Sequence, residues 1–241
     1  MPHQVVAIDS HPCVWMCAGL LRYRLCDRDF DCENCPLDAA LRGEHAASWH
    51  GVALLNRRAG HGALPDDRLY STGHGWVQPL ANHTGVWRVG VDAFGATLLG
   101  CATDIAWSAT QPRHEYGAPI CDINIGLGVL TIGAPIGGCV VRINEALQRQ
   151  PAQLITEPYE GGWLADFAAP DEVDLAELLP AAKARQHLVL DLRRFRRNVA
   201  FRLFADVASK EISAPGFESI SDLRNLIGGN EYVDCIREFI H

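Results

Sequence analysis

The densest chemistry in the chain lies in "CVWMCAGLLRYRLCDRDFDCENCP", where five of the nine cysteines fall between positions 13 and 35. Counted as Cys13, Cys26, Cys32 and Cys35 they read C-x12-C-x5-C-x2-C, with Cys17 as the alternative to Cys13. Thiolates two residues apart can reach one metal, and two further cysteines complete a tetrahedral S4 site or hold a cubane. The spacing therefore predicts a bound zinc ion or an Fe–S cluster, with [4Fe–4S] as the first cluster form to consider. The plainer readings are reduced thiols in a small local core, or a zinc knot that only staples the segment. A redox dithiol at Cys32 and Cys35 is disfavoured, because Asp31, Glu33 and Asp38 oppose a thiolate there. The same stretch places Asp27, Asp29, Asp31 and Asp38 at calcium-loop positions, but Cys32 stands where that loop needs its turn glycine.

Elsewhere the chemistry is sparse. Asp104, His114 and Asp122 could approach one another across a small barrel, yet no nucleophile–base pair or phosphate loop stands out. "GLGVLTIG" departs from the dinucleotide spacing and lacks a strand–helix–strand setting. The chain is not expected to be catalytic on its own.

Four regions must position these residues. Residues 1–43 hold the cysteines, and Pro36 can start a short helix that Gly43 closes. Residues 44–66 read as a connector, with a short strand at "WHGVALL". Residues 67–169 carry β-branched alternation in "VWRVGVDAF" and "GCVVRINEAL", punctuated by Gly and Pro, as a small sandwich or barrel does. A helix interrupts that segment at "DAFGATLLG", capped by Asp92 and stopped by Gly100. Residues 170–241 turn helical. "DEVDLAELLPAAKARQ" begins with an acidic turn and must end or kink at Pro180. Leu192, Phe195, Val199, Leu203 and Val207 form an apolar stripe, with the arginines mostly away from it. "SISDLRNLIGG" and "NEYVDCIREFIH" predict two more helices.

Composition narrows the classes further. Of the 241 residues 48% are apolar and 21% charged, the balance of a chain that buries a core. A net charge of −8 argues against nucleic acid as a partner, since phosphate contacts need a basic surface. No apolar run reaches the roughly 20 residues of a membrane span. "MPHQVVAIDSHPC" lacks the pattern of a secretory signal, so the expected location is cytoplasmic. The acidic N-terminal region and the arginines of "KARQHLVLDLRRFRRNVAFR" could dock on each other or on partners.

"RLYSTGHGWV", "VGVDAFGATLLG", "APIGGCVVRINEAL" and "EPYEGGWLADF" follow in one order over about 100 residues. Together they resemble the H protein of the glycine cleavage system, a member of the biotinyl/lipoyl-domain group. The resemblance implies a barrel-sandwich hybrid for residues 67–169 and an α+β chain overall, mainly β at its core. It also implies a hairpin whose tip lysine is amide-linked to lipoate, which carries an aminomethyl group between partner enzymes. Counting back from Pro135 puts Leu127 on that lysine's position. The only lysines are Lys183 and Lys210, both in the helical region. Lipoate attachment needs a primary amine, so no lipoate is expected. His74, between two glycines, is expected to be a hydrogen-bonded histidine near a strand start. Tyr159 and Trp163 are expected to cover one end of the barrel.

These readings lead to a non-lipoylated, H-protein-like accessory or scaffold protein with a cysteine-bound metal or Fe–S centre. Its expected work is electron transfer, redox sensing or complex assembly, with protein partners in a redox or multi-subunit complex. The alternative is a divergent glycine cleavage H protein acting in glycine or one-carbon metabolism. Nothing in the sequence sets the oligomeric state.

Overall fold

Residues 11–17, 21, 23–38, 64–81, 83–108, 113–169, 175–207, 224 and 227–240 are described by the computed structural model. The chain forms two compact units, residues 1–53 with 190–231 and residues 54–189 with 232–241.

The second unit holds two antiparallel sheets. Strands β1 (Leu69–Tyr70), β2 (Gly75–Pro79) and β3 (Val86–Val91) lead into helix α2 (Ala93–Leu99) and strand β4 (Asp104–Trp107). Then come β5 (Pro119–Asn124), β6 (Val129–Gly133) and β7 (Cys139–Ile143), the short helices α3 (Ala146–Arg149) and α4 (Gln153–Thr156), and β8 (Ala165–Ala168). Strand β9 (Leu179–Pro180) precedes the long helix α5 (Ala181–Val207), and α6 (Gly229–Arg237) is the last helix. One sheet runs β7-β8-β3-β2-β1-β9 and the other β4-β5-β6.

Alternation explains which face each strand buries. In β5 and β4 the register pairs Ile105 with Ile123, both buried, while Asp104 opposite Asn124 and Ala106 opposite Asp122 point the other way. Trp76 of β2 is fully buried, and its Nε1 donates to the carbonyls of Val91 (3.1 Å) and Pro158 (3.0 Å). The indole lies so close over β3 that a Cβ on Gly90 would stand 2.6 Å from its ring carbons. Only glycine fits beneath it.

Helix α2 forms where expected. Asp92 is its N-cap, its Oδ1 accepting from the Gly95 amide at 2.8 Å. Gly100 closes the helix at φ 68, in the left-handed region that glycine occupies without penalty. Helix α6 buries Tyr232, Val233, Cys235 and Ile236, and the Tyr232 hydroxyl donates to the carbonyl of Leu98 in α2 at 2.6 Å.

One helix begins later than its acidic first turn suggests. Residues 175–178 precede strand β9, and α5 starts at Ala181, immediately after Pro180. Proline lacks the amide that a helix interior needs but is tolerated just ahead of one, so the helix forms behind it. Residues 170–174, the "WHGVALL" strand and most of the "SISDLRNLIGG" helix lie outside the described residues; the helix expected from Pro36 to Gly43 is helical over 36–38, and the rest of it lies outside them.

The first unit is built around the cysteine segment. Helix α1 (Val14–Cys17) carries Trp15, which is buried and donates from Nε1 to Asp38 Oδ1 at 3.0 Å. An isolated antiparallel bridge joins Pro12 to Leu25, and a 3-10 turn covers Cys32–Asn34. In the same unit Arg193 of α5 pairs with Asp31 at 3.1 Å, so the acidic segment and the arginine-rich helix do meet within the chain. Phe195 and Val199 are buried as the stripe requires, but Arg196 is buried beside them and does not stand apart from it.

Candidate functional site

The β5–β6 hairpin is the feature with most bearing on function. Its turn comprises residues 125–128, closed by the Ile125 amide on the Gly128 carbonyl (3.0 Å). The Gly126 amide binds Asn124 Oδ1 at 2.8 Å, and Gly126 takes φ 78. Leu127 therefore sits at the tip, 36% exposed, with Val129 exposed beside it. Leu127 thus lies in the turn at the outer end of the hairpin. Leucine offers no nucleophilic nitrogen, and what the tip presents is apolar surface.

At the other end of β2, His74 sits in the turn that opens the strand, with φ 62. Its Nδ1 lies 2.9 Å from Asp92 Oδ2, and both side chains are almost fully buried. Asp92 thus serves two structures at once, capping α2 with one oxygen and holding His74 with the other. The ring of Phe94 packs against the imidazole, with centroids 4.6 Å apart. His74 is the hydrogen-bonded histidine that its place in the sequence suggests.

Tyr159 and Trp163 cover the same unit with polar handles engaged. Tyr159 accepts the Ala93 amide at its hydroxyl (3.0 Å), and burial pushes its phenol well above the ordinary tyrosine range. The Arg68 guanidinium lies over both Trp76 (4.6 Å) and Tyr159 (5.1 Å). Trp163 is flanked by Arg88 (4.1 Å) and Arg142 (4.8 Å). Those two arginines share the buried carboxylate of Asp166, so a tryptophan, two cations and one anion form a single network on the outer face.

Asp104, His114 and Asp122 are not brought together. Asp104 and Asp122 belong to the outward face of the three-stranded sheet, and Asp122 accepts the Thr131 hydroxyl at 2.6 Å. His114 is buried, with its backbone bridged to Gly138.

In the first unit Cys13, Cys26, Cys32 and Cys35 are each half-buried, and the side chain of Cys17 lies outside the described residues. Burial pushes the Cys13 thiol up, the neighbouring Cys26 and Cys35 add to that, and the backbone amides of Trp15 and Met16 offset part of it. Cys26 Sγ accepts the Phe30 amide at 3.2 Å. Among the described residues, however, no three or more His, Cys, Asp or Glu side chains converge into a metal-holding group. Cys13 lies within electrostatic reach of Cys26 and Cys35.

Comparison with known proteins decides the family. The model of the glycine cleavage H-protein matches residues 68–190, just over half of the chain. The chain belongs to the glycine cleavage H-protein family. A glycine cleavage system H protein of Micrococcus luteus is 29% identical over 125 residues, which cover 52% of this chain and 97% of that protein. The H protein of Nocardia farcinica is 36% identical over 123 residues, covering 49% and 91%. A crystal structure of the Mycobacterium marinum H protein is 30% identical and covers 49% of this chain and 94% of that one, with a TM-score of 0.43. The match stops short of the cysteine segment, so the first unit's N-terminal part is an addition to the H-protein domain. Among the described residues no helix is long and apolar enough to cross a membrane.

Proposed function

We propose that this chain works in glycine or one-carbon metabolism as a divergent H-type protein. It engages the partners of a lipoylated H protein through its surface, and it carries no lipoate of its own. The observation behind this reading is Leu127 at the tip of the β5–β6 hairpin in a domain of the H-protein family. Such a domain can occupy a partner's docking site without delivering an aminomethyl group. The test is a reconstituted glycine cleavage assay with an authentic lipoylated H protein and increasing amounts of this chain. Competitive inhibition supports the reading, and an unaffected rate at large excess contradicts it.

A second reading concerns the cysteine segment, and it is motivated by the C-x12-C-x5-C-x2-C spacing together with the Phe30 amide on Cys26 Sγ. On this reading Cys13, Cys26, Cys32 and Cys35, with Cys17 as the alternative to Cys13, close around zinc or an Fe–S cluster that serves electron transfer or redox sensing. Anaerobic purification followed by an absorption spectrum and iron and zinc quantitation tests it. A colourless protein free of both metals contradicts it.

A further inference from the structure

Between the two sheets of the second unit lies a cavity of about 180 Å³. That is far more room than a single water needs. Ile120, Val140, Ile143 and Ala165 give it aliphatic walls from both sheets, and Trp107, Ser108 and His114 supply its polar groups.

Two of those groups are unmatched. Trp107 Nε1 and His114 Nδ1 are both withdrawn from solvent, and neither makes a hydrogen bond. His114 is only 3% exposed. Its amide and carbonyl are both bonded to Gly138 (2.8 and 2.9 Å), and its ring packs edge-on against Phe167. Buried polar atoms in native proteins are nearly always paired, so two unpaired donors facing one cavity mark a place that a ligand can occupy.

The chemistry of the lining names that ligand. An indole N–H only donates, and a neutral imidazole can present Nδ1–H as a second donor. Neither Lys nor Arg lines the cavity, so an anion there would lose its hydration without gaining a countercharge. We propose that the cavity is a binding site for a small neutral acyl compound. Its carbonyl oxygen accepts from Trp107 and His114, and its short aliphatic chain packs on Ile120, Val140, Ile143 and Ala165. The site is independent of the hairpin and of the proposed role in glycine metabolism.

The probe is butyramide, titrated into the full chain labelled with nitrogen-15 and at isoleucine and valine methyls, with butyrate and n-butylamine as comparisons. Butyramide produces saturable shifts in one indole N–H signal, identified by its absence in Trp107→Phe, and in the methyls of Ile120, Val140 and Ile143. Butyrate binds more weakly and n-butylamine does not bind. In Trp107→Phe the methyl shifts report butyramide binding about tenfold weaker, the loss of one buried hydrogen bond. The proposal is overturned if butyramide gives no saturable shift, if butyrate binds as tightly or n-butylamine binds equally, or if a folded Trp107→Phe retains full affinity. The three-probe comparison on the unaltered chain decides the matter even where the variant does not fold.

Discussion

Removing the Asp92 carboxylate should cost more than any ordinary surface change, because two buried structures depend on it. In Asp92→Ala helix α2 loses its cap, since Asp92 Oδ1 is the acceptor for the Gly95 amide at 2.8 Å. Loss of such a cap is worth about 1 kcal/mol. The same change strips the partner from His74 Nδ1, 2.9 Å away and nearly without solvent, and an unsatisfied buried donor or acceptor costs about 1–3 kcal/mol. The sum is about 2–4 kcal/mol. With about 2–4 °C of Tm per kcal/mol for a domain of this size, the melting transition falls by roughly 5–15 °C. Asp92→Asn separates the two contributions. Its side-chain oxygen can still cap Gly95, and its amide can donate to the other tautomer of His74, so its loss should be less than half that of the alanine variant. Thermal and urea unfolding followed by near-ultraviolet circular dichroism, which reports the buried Trp76, measures both. A loss below about 1 kcal/mol for Asp92→Ala refutes the double role. An equal loss in both variants shows that the carboxylate's charge, and not its hydrogen bonding, is what matters.

Further predictions address packing, pH and the hairpin. Gly90→Ala drives a Cβ to 2.6 Å from an indole that two carbonyls hold in place, so it destabilises by about 3 kcal/mol or prevents folding, as denaturant unfolding will show. Burial pushes Cys121, Tyr70 and Tyr159 above their ordinary ranges. Each is therefore neutral in the fold at pH values where the unfolded chain ionises. Their stability contribution is complete below about pH 8.5 for the thiol and about pH 10 for the phenols, and is lost as pH rises toward the folded values. Urea titrations from pH 7 to 11 should show falling stability, and Cys121→Ala should flatten the earlier part of the slope. Leu127→Lys should lose less than about 0.5 kcal/mol at this half-exposed turn and should become a substrate for a lipoate ligase, gaining a lipoyl adduct by mass spectrometry.

Much of this fold was legible in the sequence because its signals are local. Asp92 before an apolar run and Gly100 after it are cap residues with a mechanism, and helix α2 lies between them. The resemblance implied a hairpin, and β5 and β6 pair on either side of Leu127. Where two local signals conflicted, the stronger steric one prevailed. The acidic turn before Pro180 invited a helix, yet α5 waits until Ala181. Signals that need tertiary structure were not legible. The buried Arg196 looked like part of a solvated face, since burial of one helix side depends on what packs against it. Cysteine spacing tells which thiols can reach one ion but not whether they converge. His114 stood out as a titratable residue close in sequence to Trp107, but the cavity they share is closed by Val140, Ile143 and Ala165 of the other sheet. No pattern in either strand announces that.

The central claim is that an H-protein domain here works without a covalent carrier at its hairpin. Its most direct test is the intact mass of the unaltered chain after expression with a lipoate ligase and excess lipoate. The account predicts a single species at the unmodified mass. A species carrying a lipoyl group, whether on Lys183, on Lys210 or elsewhere, contradicts it.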